Sequence, residues 1–142
     1  MTIVLIFNFL IFMSQEKLKQ DVLDFLREEG FAPSLDEDGD VKFKKEGDVH
    51  FVRIDEKDNS PFYLSMTRYL SMGDDGYDMS KAMLVTMEVN NYKTVKVRLY
   101  DSYITIRSEM FLQDISHFKA VFYRTISLMN MAMNEFCEEY SK

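Results

Sequence analysis

The sequence predicts an α+β domain in which an antiparallel sheet, built mainly from hairpins, is covered by helices. Three observations carry this. Apolar and charged residues alternate with the two-residue period of half-buried strands, as in Val41-Lys42-Phe43-Lys44 and Val95-Lys96-Val97-Arg98-Leu99. Short turns rich in Gly and Asp join consecutive strands, which makes them antiparallel neighbours. Segments with helical spacing stand at the start, middle and end of the chain, and an apolar sheet face needs such helices to cover it. The expected order is helix, three strands, helix, two strands, helix.

The elements follow in turn. From Gln15 to Glu29, Leu18, Val22, Phe25 and Leu26 recur at helical spacing, and Gly30 stands where a left-handed C-terminal cap belongs. Phe31 to Leu35 is a short apolar stretch interrupted by Pro33, which suits an edge strand. The acidic turn Asp36 to Asp40 leads into Val41–Lys44, and Gly47-Asp48 turns the chain into Val49–Ile54. After a polar loop from Asp55 to Pro61, Phe62 to Leu70 has the branched and aromatic content of a strand. Gly73-Asp74-Asp75-Gly76 closes this meander.

Asp78 can cap a second helix from Met79 to about Tyr92. Val95, Val97 and Leu99 then pair across Asp101-Ser102 with Ile104 and Ile106, and the last element is a long helix from about Ser116 to Glu139. At 142 residues this is the size of one domain.

Residues 1–12, MTIVLIFNFLIF, lack the basic flank and the small-residue cleavage site of a signal peptide and are too short to span a bilayer. Ser14 is a natural N-cap, which points to Met13 as the expected initiator, with residues 1–12 as an upstream extension and residues 13–142 as the domain. A short anchor, or a strand packed on the domain, is the alternative.

Composition narrows the function. The net charge of -7 opposes binding to nucleic acid or to anionic lipid. Cys137 is the only cysteine, which excludes an intramolecular disulfide and cysteine-rich metal cages and suits a reducing cytoplasm. Asp36-x-Asp38-x-Asp40 resembles the opening of a calcium loop, but Val41 replaces its glycine and Gly47 its closing glutamate. His50 and His117 have no ligand at metal spacing and read as ordinary partly buried or surface histidines. Cys137 lies among Glu135, Glu138 and Glu139, whose charge raises a thiol pKa. With no phosphate loop or nucleophile elbow either, the expectation is a non-catalytic protein without metal or cofactor.

Methionine and aromatic residues point instead to contact. The chain holds 11 Met, 12 Phe and 8 Tyr. On the middle helix, Met79, Ala82, Met83, Met87 and Val89 form one face, while Leu84, Val85 and Tyr92 fall well away from its centre. A helix apolar nearly all round is buried on two sides, and methionine suits an adaptable second surface. The last helix places Phe118, Val121, Phe122, Ile126, Leu128, Met129, Ala132, Met133 and Phe136 on a wide apolar face, outside which lie Tyr123 and Met131. The expected partner-binding residues are therefore Met83, Leu84, Val85, Met87, Tyr92, Tyr123 and Met131. On the strands, Lys42, Lys44, Lys96, Arg98 and Arg107 alternate against the core positions, which either makes one sheet surface cationic or simply places charge on solvent faces, where it discourages edge aggregation.

The first helix ending at Gly30, Asp40-Val41-Lys42-Phe43-Lys44 opening the first hairpin, and Phe51-Val52-Arg53-Ile54-Asp55 closing it resemble the YbjN family and the wider type III secretion chaperone-like fold. The resemblance spans residues 14 to about 140. It implies a small, acidic, usually dimeric cytosolic protein that holds an extended client segment. The expected function is thus a chaperone-like domain, homodimeric, binding a protein client and neither nucleic acid nor membrane. The alternative is a sensory or regulatory adaptor that recognises a folded partner or a small ligand through the sheet.

Overall fold

The structure, a computed structural model, describes residues 2–55 and 61–142, with the side chains of Thr2 and of residues 7–14 left aside. The elements are α1 (Thr2–Glu28), β1 (Ser34–Leu35), β2 (Val41–Lys45), β3 (Asp48–Ile54), β4 (Phe62–Ser71), α2 (Met79–Val89), β5 (Val95–Leu99), β6 (Tyr103–Leu112) and α3 (Ile115–Tyr140). The class is α+β, with an antiparallel six-stranded sheet in the order β1-β2-β3-β4-β6-β5. Four strands rather than the expected three precede α2, because the short edge segment Ser34–Leu35 pairs with β2 as a strand of its own. By backbone proximity the chain forms two compact units, residues 1–65 with 110–120 and residues 66–109 with 121–142.

In the first unit, α1 starts at Thr2 rather than at Ser14. Residues 2–13 contain neither Gly nor Pro, and a serine inside a helix costs only a few tenths of a kcal/mol, so nothing local stops the helix there. Its C-terminus matches expectation: Gly30 has φ 90°. Its N–H donates to the carbonyl of Arg27 (3.0 Å), and the N–H of Phe31 donates to that of Leu26 (2.9 Å), the paired bonds of a Schellman cap.

That cap also shortens β1. The Phe31 N–H is committed to the helix and Pro33 has none to give, so pairing with β2 begins at Ser34. β2 and β3 pair with Val41 opposite Val52 and Phe43 opposite His50, all buried, while Lys42 opposite Phe51 and Lys44 opposite Val49 lie on the other face. Glu46 (φ 54°) and Gly47 (φ 89°) join them, the left-handed pair that a two-residue turn needs. Leu18, Val22, Phe25 and Leu26 of α1 are buried, and Phe25 meets Phe118 of α3 edge-on at 5.8 Å.

In the second unit, Asp78 caps α2 by accepting from the Lys81 N–H (3.0 Å), as expected. The helix ends at Val89 with Asn90 as its C-cap, before the expected Tyr92. β5 has its expected bounds and pairs with β6 in the register Val95↔Ser108, Val97↔Ile106 and Leu99↔Ile104 on the buried face, with Lys96↔Arg107 and Arg98↔Thr105 on the other. β6 runs on past Ile106 to Leu112, its last three residues belonging to the first unit, because the alternation continues, with Ser108 and Leu112 inward and Glu109 and Phe111 outward. From α3, Phe122, Ile126, Met129, Ala132, Met133 and Phe136 are buried, whereas Val121, expected on the core face, is exposed.

Among the described residues, no helix is long and apolar enough to cross a membrane.

Candidate functional site

The geometry of α2 divides the residues that its sequence groups together. Ala82, Val85 and Val89 are buried and fall within an arc of roughly 60° at about 100° per residue. The inward face is therefore made of small and β-branched residues, and the thioethers are left outside. Met83, Leu84 and Met87 are 56%, 68% and 73% exposed, and Met79 lies at the margin of the same side. This corrects the expected division of the helix: Ala82 and Val89 leave the methionine face for the core. Val85, expected to bind a partner, turns inward at 8% exposure.

The remaining expected contact residues are dispersed around the second unit. The neighbouring carboxylate of Glu135 holds the Tyr92 phenol above its ordinary pKa, with burial adding to the effect. Met131 is exposed one helical turn before Glu135. Tyr123 is also exposed and meets Phe122 edge-on at 5.0 Å. The N-terminus of α2 is tied to the end of α3: the Asp78 N–H donates to the Tyr140 hydroxyl (3.0 Å), and the Lys81 ammonium lies 5.2 Å from the Tyr140 ring centre. The outward row of α2 thus sits on a helix anchored at its first turn.

Asp36 and His50, considered above for chemistry, have structural partners. One carboxylate oxygen of Asp36 accepts from the N–H groups of Asp38 and Asp40, both at 2.9 Å, so the acidic turn uses it to hold its own backbone. Burial and the neighbouring carboxylates of Asp36 and Asp38 raise the Asp40 pKa, against the pull of Arg53 and Lys19. His50 is fully buried rather than partly exposed, stacked on Phe43 at 5.2 Å with Nδ1 at 3.2 Å from the Asp48 carbonyl. Among the described residues, no group of three or more His, Cys, Asp or Glu is placed to hold a metal ion. The Cys137 thiol is pushed up, as expected, but the cause is burial, with Arg68 opposing it, rather than the adjacent glutamates.

The cationic strand positions expected from the sequence include three that meet at a cleft beside α2, which the sequence does not locate. This cleft of about 450 Å³ is lined by Asn90, Thr94, Lys96, Val97, Arg98, Arg107 and Glu109. Its cations are separated by up to eleven positions in sequence, and the β5–β6 register brings them to one face. Comparison with protein families, curated proteins and solved structures finds no match for this chain.

Proposed function

We propose that this chain is a non-catalytic protein-binding domain, chaperone-like in the manner of the YbjN and type III secretion chaperone group that its sequence resembles, and homodimeric through α2. The observation that supports this reading is the outward row of Met83, Leu84 and Met87, more than half exposed on a helix whose opposite face already supplies the core. Apolar side chains clustered on a solvent face mark contact surfaces, and unbranched, polarizable methionine adapts to more than one partner. Two copies of one patch can bury each other about a two-fold axis, which makes the homodimer the simplest closed assembly. A cytoplasmic setting belongs to the same reading and draws on the single cysteine.

Sedimentation equilibrium tests it. The wild type is expected to be dimeric at micromolar concentration, and Leu84→Glu combined with Met87→Lys to give a folded monomer, because charge in that interface would be desolvated. A wild type that stays monomeric at high micromolar concentration rejects self-association through α2. A double variant that remains dimeric places the interface elsewhere and rejects it equally.

A further inference from the structure

We propose that the second unit carries a binding site for a small phosphate-bearing organic anion in the cleft formed by Lys96, Arg98 and Arg107. The proposal is independent of the protein-binding reading, since the cleft uses none of the outward residues of α2.

The argument starts from the strands. Lys96 and Arg107 are directly opposed in the β5–β6 register, and Arg98 follows two residues after Lys96 on the same face. Three cations therefore converge on a cleft of about 450 Å³ with a single carboxylate, Glu109, in its wall. Like charges gathered in this way repel one another, and an arriving anion removes that cost while gaining charge-assisted hydrogen bonds.

The cations are under-used within the chain. Arg107 reaches Glu109 only at 3.6 Å, well beyond the roughly 2.8 Å of a close charged hydrogen bond. Its Nε–H is buried and has no hydrogen-bond partner among the described residues. Lys96 and Arg98 are exposed and enter no ion pair among the described residues.

The cleft is also held in shape. The Arg98 guanidinium lies 5.2 Å from the centre of the Tyr100 ring, and that ring is stacked on Tyr103 at 4.6 Å and 11°. Asn90 bonds the backbone of Val97 through both amide atoms, fixing β5 beside the end of α2. A preformed site loses less conformational entropy when it binds.

Size and charge select the ligand class. The volume falls within the roughly 300–1,000 Å³ of small-molecule sites and leaves room beyond a single phosphate group. An extended polyanion would feel the -7 of the whole chain, whereas a small one feels mainly the local excess of cations. Arginine forks and a lysine point charge together match phosphate oxygens.

Inorganic pyrophosphate is the probe. Titrated into the uniformly labelled wild-type protein at low salt, it is expected to give saturable, single-site amide shifts concentrated at residues 94–98 and 106–109. Lys96→Ala and Arg98→Ala, both at exposed positions, are each expected to weaken that binding about tenfold with unchanged amide dispersion. The absence of saturable shifts in the wild type overturns the proposal without recourse to any variant, and so does undiminished affinity in a folded double variant. Citrate binding as tightly as pyrophosphate would overturn the phosphate assignment. A short oligothymidylate binding more tightly would overturn the small-anion class.

Discussion

The side-chain amide of Asn90 brackets the backbone of Val97, with Oδ1 accepting from the Val97 N–H at 2.6 Å and Nδ2 donating to the Val97 carbonyl at 3.4 Å. β5 is an edge strand, and an open edge invites pairing with another chain. Asn90 occupies that edge as one residue of a neighbouring strand would. The same residue ends α2, its own N–H donating to Thr86. Replacing Asn90 by Ala should cost about 1–3 kcal/mol by chemical denaturation, since both Val97 groups lose a partner. Asn90→Asp should fail to restore this, because a carboxylate accepts from the N–H but repels the carbonyl.

The division of α2 predicts opposite responses from adjacent positions. Leu84→Ala and Met87→Ala should change monomer stability by no more than about 0.5 kcal/mol. Val85→Ala removes buried methyl groups and should cost about 2 kcal/mol. Equal costs at Leu84 and Val85 in denaturant titrations would refute the assigned orientation of the helix.

Glu46 holds a left-handed conformation (φ 54°) in the β2–β3 turn, a strain of about 1 kcal/mol for a residue with this side chain. Glu46→Asn should stabilise the protein by part of that amount, because Asn-Gly suits this turn. Gly47→Ala should do the reverse, since Gly47 also has positive φ (89°). Thermal melts of the two variants read both signs.

Asp40 has a raised pKa in the folded protein, so the fold binds its proton more tightly than the unfolded chain does. Its charged form therefore opposes folding above the folded pKa, and this cost is relieved as pH falls through that value. Asp40→Asn should raise the melting temperature slightly at neutral pH, with the gain vanishing in acid. A gain that grows on acidification would contradict the assigned cause.

The Cys137 thiol, raised by burial, should react slowly with iodoacetamide at neutral pH, and its rate should keep climbing well into the alkaline range. Arg68→Met removes the opposing cation and should slow it further. This variant also loses the 2.7 Å bond to Asn130, so the rate is to be read where melting shows the fold intact.

Where local chemistry decides an element, the sequence is a sufficient guide. Gly30 ends α1 by supplying positive φ, Asp78 starts α2 by accepting from Lys81, and β5 keeps its alternation from Val95 to Leu99. The rest depends on partners distant in sequence. Periodicity identifies α2 as apolar nearly all round but does not say which arc meets the sheet, and Ala82, Val85 and Val89 are selected only by what they pack against. Ser14 resembles a cap, yet the chain before it holds nothing that breaks a helix. Lys96, Arg98 and Arg107 stand out as strand cations, but their convergence requires the register, and the hold of Asn90 on Val97 has no signature in the sequence.

Met79, Met83 and Met87 recur every four residues along α2, at least a third of each open to solvent, while Met66 and Met129 are fully buried. Sulfur chemistry therefore separates them. A peroxide reaches the exposed thioethers first and converts each to a sulfoxide, turning an apolar ridge into a polar one without opening the core. If α2 forms the contact surface proposed above, its partner should be released by mild oxidation and regained on enzymatic reduction, which would make that surface chemically erasable.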